Sequence, residues 1–173
     1  MHPKLMEALQ QGVYPITTRI AIGRFATPER VAYLQEMGIT HILNVSDAES
    51  LATVRAAGFT QVKDIPLADY SRIPTEQALN AIQTLHAMLN LPGSQVYVHC
   101  LAGQMRCPTV LWLYLIGLGM GGRPAKQLII DRCPDAHPGH NTLVDAALMQ
   151  AVNDWGRKLG HIDRAALMQP AGK

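Results

Sequence analysis

Cys100, Gly103 and Arg106 stand in the run HCLAGQMR (99–106), and their types and spacing suit chemistry on a phosphate ester. A cysteine in positive potential ionises readily, and the thiolate is a strong nucleophile. Arg106 offers a planar, permanently charged fork that matches two phosphate oxygens. Gly103 lets the backbone bend closely around a bound oxyanion. Both flanks frame these residues. QVYV (95–98) is rich in β-branched and aromatic residues and reads as a buried strand, whereas VLWLYLI (110–116) reads as a buried helix. Strand, tight loop and helix N-terminus together make an anion cradle, because loop amides point inward and the helix dipole adds positive potential. The same field depresses the pKa of Cys100, leaving a thiolate near neutral pH. A lone cysteine is more often an inert buried residue, and a lone arginine a surface or capping residue. Their joint setting here favours a nucleophile on the floor of a phosphate cradle.

The run resembles the H-C-x5-R signature of cysteine-dependent protein tyrosine phosphatases, and the chain is most similar to their compact dual-specificity branch. GITHILNVS (38–46) resembles the upstream strand segment of that family, and about residues 17–156 can be laid on its pattern. The resemblance implies Cys100 as nucleophile, with phosphate held by Arg106 and by the loop residues Leu101, Ala102, Gly103, Gln104 and Met105. It implies that His99 orients the loop and tunes the thiolate. Asn141 occupies a place where relatives carry an asparagine that braces the loop, although helix capping explains it equally well. Where the family has serine or threonine after the arginine, this chain has Cys107. A thiol is a weaker donor than a hydroxyl, so slower phosphocysteine turnover is expected. It also sets a second thiol near the nucleophile, which predicts a reversible Cys100–Cys107 disulfide under mild peroxide, with Cys133 as the rival partner.

Attack on phosphorus leaves an alkoxide or phenoxide that wants a proton, so a general acid belongs on another loop. In the family it is an aspartate upstream of the signature. Asp64 falls inside the strand pattern VKDIPL, and Asp69 in the loop that follows. Loop position and distance from the signature select Asp69. Tyr70 and Arg72 flank it and read as exposed loop residues. No cofactor or metal is expected. His137 and His140 have H-x-x-H spacing, but in a Pro-Gly loop without further ligands they do not suggest a metal site.

The chain has 173 residues, 48% hydrophobic and 16% charged, which suits one globular enzyme domain and not a disordered chain. A formal net charge of +2 is too small to imply a nucleic-acid or membrane partner. Three cysteines without framework spacing favour a reducing, cytoplasmic setting. The N-terminus lacks an apolar core of signal-peptide type, and the longest apolar run (110–121) is too short to span a bilayer.

Residues 1–16 read as a loose lead-in, 17–160 as the catalytic domain and 161–173 as a tail. Within the domain, strands are expected near residues 19–22, 41–45, 61–67 and 95–98, with helices between them. Thr27-Pro28 and Thr75 open two of these helices. Ser46-Asp47-Ala48-Glu49 has the form of a capping box, and Asn141 is expected to cap the last helix. This alternation predicts an α/β fold with a mostly parallel central sheet flanked by helices. Ligands in such sheets sit beyond the carboxyl ends of the strands, where Cys100 falls.

The expected activity is hydrolysis of phosphotyrosine in a protein or peptide substrate through a phosphocysteine intermediate, with phosphoserine and phosphothreonine left open. A phosphoinositide or small phosphoester phosphatase is the enzyme alternative, disfavoured by the neutral residues 101–105. A rhodanese-type sulfurtransferase would have no use for Asp69. A phosphopeptide-binding pseudophosphatase would not need Cys100, Arg106 and Asp69 together.

Overall fold

The computed structural model describes residues 3–172. Five strands form one sheet: β1 (Val13–Pro15), β2 (Ile20–Gly23), β3 (His41–Asn44), β4 (Gln61–Asp64) and β5 (Val96–His99). Their spatial order is β1-β2-β5-β3-β4. β1 pairs antiparallel with β2, and the other neighbours are all parallel. β5 sits in the middle and is buried on both faces, so its apolar residues run together instead of alternating.

Among the described residues eight helices accompany the sheet: α1 (Pro3–Gln11), α2 (Pro28–Glu36), α3 (Ala52–Arg55), α4 (Thr75–Leu89), α5 (Arg106–Gly117), α6 (Gly122–Arg132), α7 (Ala146–Arg157) and α8 (Arg164–Leu167). The larger core joins one sheet face to α4, α5, α6 and α7. A smaller core on the other face gathers Leu34 of α2 and Val54 of α3 with Ala21, Ile42 and Tyr97. Val110, Leu111, Leu113 and Leu115 of α5 are fully buried, and each such side chain contributes about 1.5–3 kcal/mol. That burial fixes the helix whose first residue is Arg106.

The register decides where the site lies. Gly23 pairs with His99, His99 with Asn44, and Asn44 with Asp64. Four parallel strands therefore end in one row, and the loops that follow them rise from the same sheet edge.

Several local expectations are corrected. Of the expected lead-in 1–16, residues 1 and 2 lie outside the described residues, and residues 3–16 are not loose, since they hold α1 and β1 and bury Ala8, Val13, Tyr14 and Ile16. β1 is only three residues long and ends in Pro15, which an edge strand tolerates and a sequence pattern does not reveal. The tail also docks over its described residues 161–172: α8 buries Leu167, Thr18 N donates to Gln169 O, and Ala171 N donates to Ile16 O. Ser46-Asp47-Ala48-Glu49 opens no helix, because α3 starts at Ala52. The Ser46 hydroxyl instead donates to Asn44 Oδ1 at 2.7 Å and holds a loop. The N-cap of α7 is Asp145, which accepts from Leu148 N at 2.9 Å. Asn141 lies in an exposed turn four residues earlier.

Candidate active site

The loop between β5 and α5 is shaped by backbone contacts. Gly103 has φ +74°, and a Cβ there would lie 2.7 Å from the carbonyl carbon of Gly23. Only glycine permits both the left-handed turn and this approach to the end of β2. Gly23 is equally confined, since its Cβ would lie 1.9 Å from Gly12 O. The N-terminal segment thus packs beneath the loop floor. Phe25 N donates to Leu101 O at 3.1 Å, and His137 N to Gln104 O at 2.7 Å. Among the described residues, no backbone N–H of 101–106 donates to a backbone carbonyl. These donors remain for a sulfur or an oxyanion. Leu101, Ala102 and Gln104 are exposed, Met105 is half-buried, and Gly103 and Arg106 are buried.

Cys100 is 2% exposed and its sulfur lies 3.5 Å from that of Cys107. The Cys107 thiol is the strongest influence lowering the Cys100 pKa; burial opposes it, and the amides of Cys107 and Gly103 and the Arg106 charge add to it. The result is a pKa of about 6, against an ordinary value of 9.0. Burial and the neighbouring sulfur push the Cys107 thiol well up, so it keeps its proton. Its own sulfur lies 3.5 Å from Gly23 O.

Arg106 is buried, and its guanidinium faces two carboxylates. Nη1 donates to Asp47 Oδ1 at 2.8 Å and to Leu67 O at 3.0 Å. Nη2 lies 3.5 Å from Asp69 Oδ2. Nε has no hydrogen-bond partner among the described residues. The structure therefore brings Asp69 beside Arg106, with its side chain 35% exposed. Asp64 is engaged elsewhere: its carboxylate accepts from Ser50 N, Ser50 Oγ and Asn44 Nδ2, and pairs with Arg55.

Asp47 was not legible as a site residue, because its four-residue run read as a helix start. Its signal lies in topology, since β3 ends beside β5 and the loop after it must reach the same edge.

His99 is buried and its Nδ1 donates to Cys100 O at 3.1 Å. Burial holds its pKa down at about 4, so the ring is neutral. Phe25 meets the ring edge-on at 5.0 Å. Asn141 makes no side-chain hydrogen bond to the loop among the described residues, so the bracing contact expected of it is not formed. Arg72 pairs with Asp145, and Ile73 N donates to Leu143 O at 2.8 Å. These contacts tie the Asp69 loop to the α7 N-terminus. Tyr70 is 77% exposed and takes a left-handed φ of 51°. His137 and His140 stand edge to face; among the described residues no group of three or more His, Cys, Asp or Glu could hold a metal ion.

A mostly parallel sheet with a Cys-x5-Arg loop at the carboxyl end of its central strand defines a protein phosphatase of dual-specificity type. The chain belongs to the PTP-SAK family, described as a Swiss Army Knife protein with a DSP-PTPase phosphatase domain, whose model matches residues 14–152. Solved structures share the fold at low identity. Tk-PTP in its active form is 18% identical with a TM-score of 0.66, over 86% of this chain and 98% of that one. PTPMT1 in complex with PI(5)P is 15% identical with a TM-score of 0.67, over 85% and 96%. A mouse putative dual specificity phosphatase complexed with zinc tungstate is 18% identical with a TM-score of 0.66, over 94% of each chain.

Proposed function

We propose that this phosphatase hydrolyses phosphotyrosine in protein or peptide substrates through a phosphocysteine intermediate. The phosphate dianion is bound by the amides of 101–106 and by Arg106. The Cys100 thiolate attacks phosphorus in line, forming the P–S bond as the ester P–O bond breaks. Asp69 donates its proton to the departing oxygen. The Asp69 carboxylate then takes a proton from the water that attacks the phosphocysteine. That second attack releases the thiolate and inorganic phosphate. The amides and Arg106 stabilise the equatorial oxygens throughout.

One observation carries the reading: an acidified, buried sulfur lies in a loop of uncommitted amides, beside a guanidinium that Asp69 also approaches. Retention of Asp69 at that place supports an enzyme over a phosphopeptide-binding protein and over a sulfurtransferase. A phosphoinositide reading is the second possibility, because PTPMT1 has been crystallised with PI(5)P on a similar fold. The neutral side chains of residues 101–105 and the second carboxylate, Asp47, favour a substrate with one phosphate over a polyanion. A cytoplasmic setting is supported by three free cysteines. Among the described residues no helix is long and apolar enough to cross a membrane.

The test ranks phosphotyrosine, phosphoserine and phosphothreonine peptides against phosphoinositides by kcat/KM, with acid-quench trapping of phosphocysteine. Phosphotyrosine peptides should lead. A leading phosphoinositide would replace the substrate proposed here, and an inert wild-type enzyme would remove the catalytic reading.

A further inference from the structure

We infer that Asp47 is a positioning residue, which fixes Nη1 of Arg106 so that the Nε–Nη2 edge of the guanidinium faces the bound phosphate. The inference deepens the proposed function and rests on it for the identity of the bound anion.

A guanidinium offers a bidentate fork along its Nε–Nη2 edge. Nothing in the side chain itself decides which way that edge faces, because the planar guanidinium turns as a unit about the single bonds of the methylene stem. Here Nη1 is bound twice, to Asp47 Oδ1 at 2.8 Å and to Leu67 O at 3.0 Å. Nε, buried, is bound to nothing among the described residues, and Nη2 lies 3.5 Å from Asp69 Oδ2, at the edge of the hydrogen-bond range. An unpartnered buried donor costs stability unless a ligand completes it. The unbound Nε therefore belongs to the same fork that the Nη1 clamp orients.

The loop that carries Asp47 is itself held rigidly. Asn44 Nδ2 donates to Ala48 O at 2.7 Å, and Ala48 N donates to Ser46 Oγ at 3.2 Å. Ser50 Oγ donates to Asp64 Oδ1 at 2.6 Å, and Arg55 pairs with that same carboxylate. Asp64 thus anchors the end of a loop whose middle supplies Asp47. Two properties separate Asp47 from a general acid. Its carboxylate is committed to Nη1, and the hydrogen bond from Arg106 holds its pKa below the ordinary carboxylate value. It stays ionised and accepts.

Titration of inorganic phosphate into wild type, Asp47→Ala and Asp47→Asn by calorimetry tests the inference without relying on turnover. The amide oxygen of asparagine can still accept from Nη1, whereas alanine cannot. Asp47→Ala should weaken phosphate binding about 10- to 100-fold, the range set by misplacing one binding group. Asp47→Asn should stay within about twofold of wild type, since it keeps the hydrogen bond. If Asp47 acts only as a nearby negative charge, both variants will bind phosphate more tightly than wild type, and the inference is overturned. Equal weakening by both variants also overturns it.

Turnover adds a second arm. With a series of aryl phosphates, the loss in Asp47→Ala should be the same for good and poor leaving groups. A loss that deepens for poor leaving groups would make Asp47 the acid and end its positioning role. Its side chain is 56% exposed, so the variants should melt within a few degrees of wild type. If phosphate binding follows the predicted order while no ester is hydrolysed, the positioning role stands and the proposed catalysis falls.

Discussion

The sulfurs of Cys100 and Cys107 lie 3.5 Å apart, and the Cys107 sulfur is also 3.5 Å from Gly23 O. The two titrate in opposite directions, Cys100 down to about 6 and Cys107 well up. One sulfur is thus the anion and the other its donor, a division that the adjacent amides of Cys107 and Gly103 reinforce.

Removing that donor should raise the Cys100 pKa. The charged form is the thiolate, so losing a hydrogen bond to it disfavours ionisation and moves the pKa upward. In wild type the thiolate forms as pH rises through about 6. Cys107→Ala should shift this transition to higher pH, and Cys107→Ser should leave it low. Thiolate absorbance at 240 nm, with Cys100→Ser as baseline, reads the midpoint directly. The acid limb of kcat/KM should move the same way, since that limb reports ionisations in the free enzyme.

Cys100→Ser should abolish turnover and retain phosphate binding, because the loop amides and Arg106 are untouched. Arg106→Lys should lose most activity, since an ammonium has no paired planar fork. Steady-state kinetics and phosphate calorimetry on the two proteins separate loss of the nucleophile from loss of the cradle. Near-wild-type hydrolysis by Cys100→Ser would remove the nucleophile assignment.

Asp69→Asn should lower kcat about 10²–10⁴-fold for a poor leaving group and much less for a nitrophenyl ester. Asp64→Asn should behave differently. It weakens the contacts with Ser50, Asn44 and Arg55, so its first effect should be a lower Tm. Paired melting curves and a leaving-group series decide between them. The roles are reversed if Asp64→Asn gives the leaving-group signature.

Residues that act together were legible in the sequence where they are contiguous. Cys100, Gly103 and Arg106 share one loop, and strand before with helix after announced its shape. The four parallel strands were legible too, from apolar runs bounded by glycine, proline and helical periods. Asp47 was not, because it meets Arg106 across a separation of 59 residues. Such a pair exists only once the order β5-β3-β4 is known, and periodicity carries no strand order. The docked termini were hidden for a related reason. β1 and α8 are too short to show a period, and their stability comes from contacts such as Thr18 N to Gln169 O.

Mild peroxide should convert Cys100 and Cys107 to a disulfide that inactivates the enzyme and that dithiothreitol reopens. The Cys100 thiolate attacks one peroxide oxygen, forming the S–O bond of a sulfenic acid as hydroxide leaves. The Cys107 thiol then attacks that sulfur, so the S–S bond forms and water departs. The raised pKa of Cys107 keeps its thiolate scarce, which slows this step. Proximity offsets the cost, since the sulfurs need close only from 3.5 Å to about 2 Å. Cys133 is also buried, but among the described residues its sulfur makes no hydrogen-bond-range contact with Cys100, whereas that of Cys107 does. Cys107→Ser should restore a hydroxyl donor, speed phosphocysteine breakdown and render peroxide inactivation irreversible. Mass spectrometry of the oxidised protein checks the pairing. Cys100 recovered as sulfinic acid, or joined to Cys133 while Cys107 remains a free thiol, would reject the Cys100–Cys107 exchange.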